Sequence, residues 1–202
     1  MDAVRIQKLA HAARGLPLAV ILRRCSVGDA VRRDAARAIY TKGRLDPSGS
    51  DRDLRRLLSQ AEFRSVVYER LLHHGTPAEA IAGLLLAAWW PGQCGLEFAC
   101  PSIGPGLVIN HGFGSVLMAR SIGADCFISH GVTLGLSNKG GPPVIGDRVT
   151  LHVGAVVIGP VTVGDGAIVG ANSLVLGDVP PGAVVVGSPA RVVGRAPVDP
   201  WR

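Results

Sequence analysis

Two of the six histidines occupy one recurring setting. His111 follows Ile109 by two residues, and His130 follows Ile128 by two. Imidazole takes up or releases a proton near neutral pH, and its neutral form is a common metal ligand. A recurring pair is therefore a candidate for proton transfer or for metal binding. A lone histidine in a turn is more often a surface hydrogen-bonder than a catalyst, and that reading stays open for each one alone. His11, His73 and His74 lie upstream, and His152 is offset by one position from the pair. The cysteines Cys25, Cys94, Cys100 and Cys126 form no CxxC pair and no zinc spacing. They read as free thiols of a reducing cytoplasm, with Cys126 as core filler.

The elements that must position the histidines show in a period of six. Aliphatic anchors recur at Ile145, Leu151, Val157, Val163, Val169 and Val175, with small or turn-forming residues between them. Traced backwards, the period reaches Ile103, Ile109, Val116, Ile122, Ile128 and Leu134. One extra residue separates Ile109 from Val116, and a longer insertion runs from about Gly135 to Pro143. A six-residue period is neither helical nor that of a hairpin. It marks a parallel β-helix whose repeats bury their faces only by stacking. Three hexads per turn give four coils: 103/109/116, 122/128/134, 145/151/157 and 163/169/175. This register stacks His111 beneath His130, about 5 Å apart, and puts Val153 and Ala171 at the same place on the next coils.

Composition agrees with thin coils: 48% of the residues are hydrophobic, 4% are aromatic and 27 are glycine. The net charge of +6 lies in the first half, where 15 of 21 Lys and Arg precede residue 96 against 9 of 15 acids. The repeat half is neutral, which argues against nucleic acid. The basic segment suits a solvated face, an acidic partner or a membrane surface. Residues 1–92 read as a helical domain, 93–195 as the β-helix and 196–202 as a tail. Helices are expected over 1–14, over 18–40 with a possible break at Ser26-Val27-Gly28, over 51–74 and over 77–90. Thr76-Pro77-Ala78-Glu79 supplies a capping box for the last of these. That helix is apolar nearly all round, which predicts burial or, with Trp89 and Trp90, contact with a membrane interface. No signal peptide is expected, and the apolar run 81–90 is too short to span a bilayer.

Ser102–Gly112 (SIGPGLVINHG) resembles the stretch around the catalytic histidine of serine acetyltransferases, and Ile128–Gly135 (ISHGVTLG) resembles their next coil. Pro143–Asp147 and Val184–Arg191 are similar to a later coil and the closing motif, so the likeness covers about 96–195. Glu62–Leu71 looks like a helix of exopolysaccharide and colanic-acid-type members. The resemblance implies a left-handed β-helix, and acetyl transfer from acetyl-CoA to a hydroxyl with no metal. It implies His111 as general base, and Glu97, the only acid between Gly92 and Ala124, as its orienting carboxylate. Asn110 and His130 become acceptor-binding candidates. Gly135, Gly154 and Ala171 match small positions along which the coenzyme runs, and Lys139 and Arg191 are candidates for its phosphates. Trimers with shared sites are the family rule; pairing of trimers is left open.

Several residues depart from the serine enzymes. Asn110 stands where they carry Asp, and Gly141-Pro142 where they carry Arg-His. The helical segment is shorter than theirs, and the tail Pro200-Trp201-Arg202 lacks the isoleucine that docks into cysteine synthase. The expectation is therefore an α+β chain acting as an O-acetyltransferase on a sugar of an exopolysaccharide or its precursor. It would be cytoplasmic, at the inner face of the membrane if the basic helices make a peripheral contact there. The alternatives are a serine O-acetyltransferase and a non-catalytic or metal-binding scaffold.

Overall fold

A computed structural model describes residues 21, 22, 24–41, 54, 56–138 and 140–197. The expected helix 1–14 lies outside them. The chain divides into two compact units, 1–93 and 94–202.

The first unit contains α1 (Gly28–Thr41), α2 (Ala61–His74) and α3 (Pro77–Trp89). The break at Ser26–Gly28 is where α1 begins. In the helix expected over 51–74, residues 54, 56 and 57 are helical, and a turn over 58–60 separates them from α2. Asp34 and Arg70 pair twice at 3.1 Å, both almost completely buried. Each needs the other, because an unpaired buried charge is costly. Arg64 donates to the carbonyls of Leu58 and Pro91, and its guanidinium lies 4.3 Å from the Trp90 ring. Tyr68 donates to the Trp90 carbonyl at 2.6 Å. These contacts fix the end of α3 against α2.

The capping box at Thr76 and Glu79 forms as expected, and Ser26 also donates to Glu79 from its amide and its hydroxyl. These hydrogen bonds hold the Glu79 carboxyl down at about 2. Against the described residues α3 is covered only in part. Gly83 alone is buried, close to Leu71, whereas Ile81, Leu84, Leu85 and Trp89 are exposed. Among the described residues α2 is the helix that packs on α3, and it covers one side of an all-round apolar sequence. Among the described residues no helix is long and apolar enough to cross a membrane.

The second unit is a left-handed parallel β-helix with three faces, each five residues deep. Ile103, Ile122, Ile145, Val163 and Val179 align up the first face. Ile109, Ile128, Leu151, Val169 and Val185 align up the second. Phe98, Leu117, Leu134, Val157 and Val175 align up the third. Partial coils thus extend the four expected ones at both ends. One anchor is corrected: Leu117, fully buried, faces the interior, and Val116 does not. An antiparallel hairpin, Ala183–Gly187 with Ala190–Arg195, closes the second face.

The small residues of the hexads have a packing cause. A Cβ on Gly146 would lie 2.4 Å from Oδ1 of Asp165, on the next coil. That oxygen accepts from the Asp147 amide at 2.9 Å, and Asp147 accepts from Ala124 at 2.8 Å. Each aspartate thereby ties its coil to the one below.

Three outcomes follow for stability. Leu117→Ala should cost about 2–5 kcal/mol in denaturant unfolding and Val116→Ala much less; the reverse order would contradict the register. Val169→Asp should abolish the folded solenoid in circular dichroism, because it buries a charge among aliphatic side chains. Glu79 has a lowered folded pKa, so its contribution is complete above the ordinary carboxylate range and is lost as the pH falls toward 2. The melting-temperature gap between wild type and Glu79→Gln should shrink over that interval.

Candidate active site

The corner between the second and third faces carries the histidines. In its regular turns the residue two after the anchor precedes one with positive φ: Gly131 (68°), Gly154 (67°) and Asn172 (54°). The amides of these residues donate to the carbonyls of Phe113, His130 and Val153 on the coil below. The residue in register with His130 is therefore Phe113, and the expected direct stack of His111 under His130 is corrected. Two residues, not one, are inserted on the first coil. His111 and Gly112 form that insertion, both at positive φ (65° and 36°), and Gly114 (67°) takes the regular turn position.

The result is a three-ring cluster. The His130 and Phe113 rings stack, with centroids 4.7 Å apart and planes at 24°. His111 meets His130 edge-on, at 6.3 Å and 67°. His111 is exposed, and among the described residues its side chain makes no hydrogen bond. Left-handed backbone at a residue other than glycine is uncommon, though histidine tolerates it better than most, and such residues concentrate at functional sites. The Nδ1 atom of His130 is buried without a hydrogen-bond partner among the described residues. Asn110, half-buried, pairs in register with Ser129 beside the cluster.

Other candidates are placed differently. Glu97 is exposed on the first strand of the third face, opposite Val116 and beside the inward Phe98. Among the described residues no hydrogen bond or ion pair joins it to His111. Gly154 and Ala171 lie above His130 on the same corner. A Cβ on Gly154 would meet Asn172 Oδ1, and its backbone is left-handed (φ 67°), so the turn itself favours glycine there. Gly135 closes a third-face strand opposite Ile158. Arg191 lies on the terminal hairpin and donates to the Ala190 carbonyl; with Val175, Leu176, Asp178 and Val192 it lines an open groove of about 530 Å³. Lys139 lies outside the described residues, as does the 198–202 tail. His152 pairs with neither histidine, and among the described residues no three His, Cys, Asp or Glu side chains converge. Phe113 is the site residue that periodicity alone misses. Its signal was an aromatic side chain, rare in this chain, between two glycines of a turn.

Residues 142–177 match the family of bacterial transferase hexapeptide repeats. The serine acetyltransferase of Mycobacterium tuberculosis is 43% identical over 109 residues, covering 50% of this chain and 48% of that protein. The crystal structure of serine acetyltransferase from Vibrio cholerae superposes with a TM-score of 0.66 at 27% identity, over 86% of this chain and 68% of that one. The Brucella abortus serine acetyltransferase in complex with coenzyme A gives 0.62 at 25% identity, over 88% and 72%. The chain spans about half the length of the serine acetyltransferases it matches in sequence. These matches overturn the expected exopolysaccharide acceptor. That expectation rested chiefly on missing charges at Asn110 and Gly141-Pro142 and on the likeness of Glu62–Leu71, and these weigh less than 43% identity over 109 residues. The stacked hexads, the interrupted corner and the matching sequences agree: the chain belongs to the hexapeptide-repeat acetyltransferases.

Proposed function

We propose that the protein is a serine O-acetyltransferase, working in the cytoplasm as a trimer whose sites are shared between subunits. The observation that carries the chemistry is His111: an exposed imidazole on a left-handed insertion, with no hydrogen bond to satisfy among the described residues. An alcohol is a poor nucleophile at neutral pH. His111 takes the proton of the serine hydroxyl as its oxygen attacks the thioester carbonyl of acetyl-CoA. The carbon–sulfur bond then breaks, the sulfur leaves as coenzyme A, and the imidazolium returns the proton to it. O-acetylserine and the free thiol are the products, so protons and electrons balance.

Glu97 is assigned as the carboxylate that orients His111, and Asn110 and His130 as acceptor contacts. Gly135, Gly154 and Ala171 form the small-residue track for the coenzyme, with Arg191 and Lys139 toward its phosphates. The serine reading is supported by the sequence matches to serine acetyltransferases.

Thiol release from acetyl-CoA should require L-serine, and sugars should not replace it; release with a saccharide alone would overturn the reading. His111→Ala should lower kcat by about 100-fold or more with an unchanged circular dichroism spectrum. Glu97→Gln should lower kcat at constant KM; an unchanged kcat removes Glu97 from the mechanism. Sedimentation should give three chains of 21.0 kDa. Six would mean that trimers pair, and a monomer would contradict the shared site.

A further inference from the structure

We infer that His130 is the specificity-determining hydrogen-bond donor of this site, held by Phe113 in one tautomer and one orientation. The inference rests on the acetyl-transfer reading and deepens it. A neutral imidazole carries one hydrogen, on Nδ1 or on Nε2. Nδ1 of His130 is buried with no partner, and Nε2 is not enclosed in this way. A buried N–H without an acceptor is the rarer and costlier arrangement, whereas a bare lone pair is tolerated better. The hydrogen therefore resides on Nε2. The Phe113 ring, stacked at 4.7 Å, holds the imidazole plane.

This divides the work between the two histidines. His130 offers an N–H and does not accept a proton at Nε2. Among the described residues the His111 side chain makes no hydrogen bond, so its ring is free to accept a proton. The acceptor hydroxyl must come within about 3 Å of His111, and the His130 ring centre is 6.3 Å from that of His111. The group that reaches His130 is then an oxygen a few bonds away in the same acceptor. In serine that oxygen belongs to the carboxylate, and the hydrogen bond is charge-assisted. His130 is thus a contact for the carboxylate, and Phe113 is a positioning residue acting through it.

The test joins a spectrum to kinetics. Long-range proton–nitrogen NMR of 15N-histidine-labelled protein, assigned with His130→Gln, should show a bare Nδ1 and a protonated Nε2. A proton on Nδ1 would overturn the inference whatever the acceptor. In thiol-release assays, His130→Leu should raise KM for serine about tenfold and leave KM for acetyl-CoA unchanged. His130→Gln, which keeps an N–H near the same point, should restore most of the loss. Phe113→Leu should raise KM for serine, and Phe113→Tyr should not. Wild type should prefer serine to serinamide, and His130→Leu should lose that preference. A His130→Leu defect confined to kcat, or to KM for acetyl-CoA, would place the donor at the thioester and sink the carboxylate contact. If wild type fails to turn over serine, the functional reading falls and the carboxylate contact falls with it. The spectrum then decides the tautomer on its own.

Discussion

The backbone ladder between coils is the constraint on which the solenoid depends. Each short strand spends its amides and carbonyls on the coils above and below, about 4.8 Å away. Side chains one turn apart therefore sit directly over one another in columns. Inside, a column of Ile109, Ile128, Leu151, Val169 and Val185 fills the space with no polar atom to satisfy. At the corners the same closeness leaves no room for a Cβ at Gly146 and turns the Asp147 and Asp165 carboxylates into ties between coils.

The candidate site arises where the ladder is interrupted without being broken. Phe113 takes the column position beneath His130, so the strands on either side stay paired. His111 and Gly112 are surplus to the column and project from it. A side chain outside the repeat is not needed for packing, which leaves it available to chemistry. The neighbouring imidazole is different, because it belongs to its column and is clamped by stacking. One ring is free and the other is held, and both conditions come from a two-residue difference between adjacent coils.

Much of this was legible in the sequence, for identifiable reasons. Eleven of the twelve hexad anchors face the interior as the period of six requires. The exception, Val116, fails because both 116 and 117 are aliphatic, so a pattern of residue types cannot choose between them; hydrogen bonds across the coils choose Leu117. The capping box at Thr76 was legible because it is local. The Asp34–Arg70 pair was not, since partners 36 residues apart leave no spacing signal. The departures at Asn110 and Gly141-Pro142 point away from the serine enzymes only position by position, and a binding pocket can draw its polar groups from more than one place in the chain.

The terminal hairpin has a bearing on assembly. A stack of parallel coils ends in a strand with unused amides and carbonyls, which invites another molecule to continue it. Here the last strand of the second face, Ala190–Arg195, runs antiparallel to its neighbour and carries Arg191 and Arg195. A further coil arriving in the parallel sense meets a reversed strand and two cations. On that face the solenoid has a stop, which holds the number of coils finite and keeps separate molecules from joining end to end into a fibre.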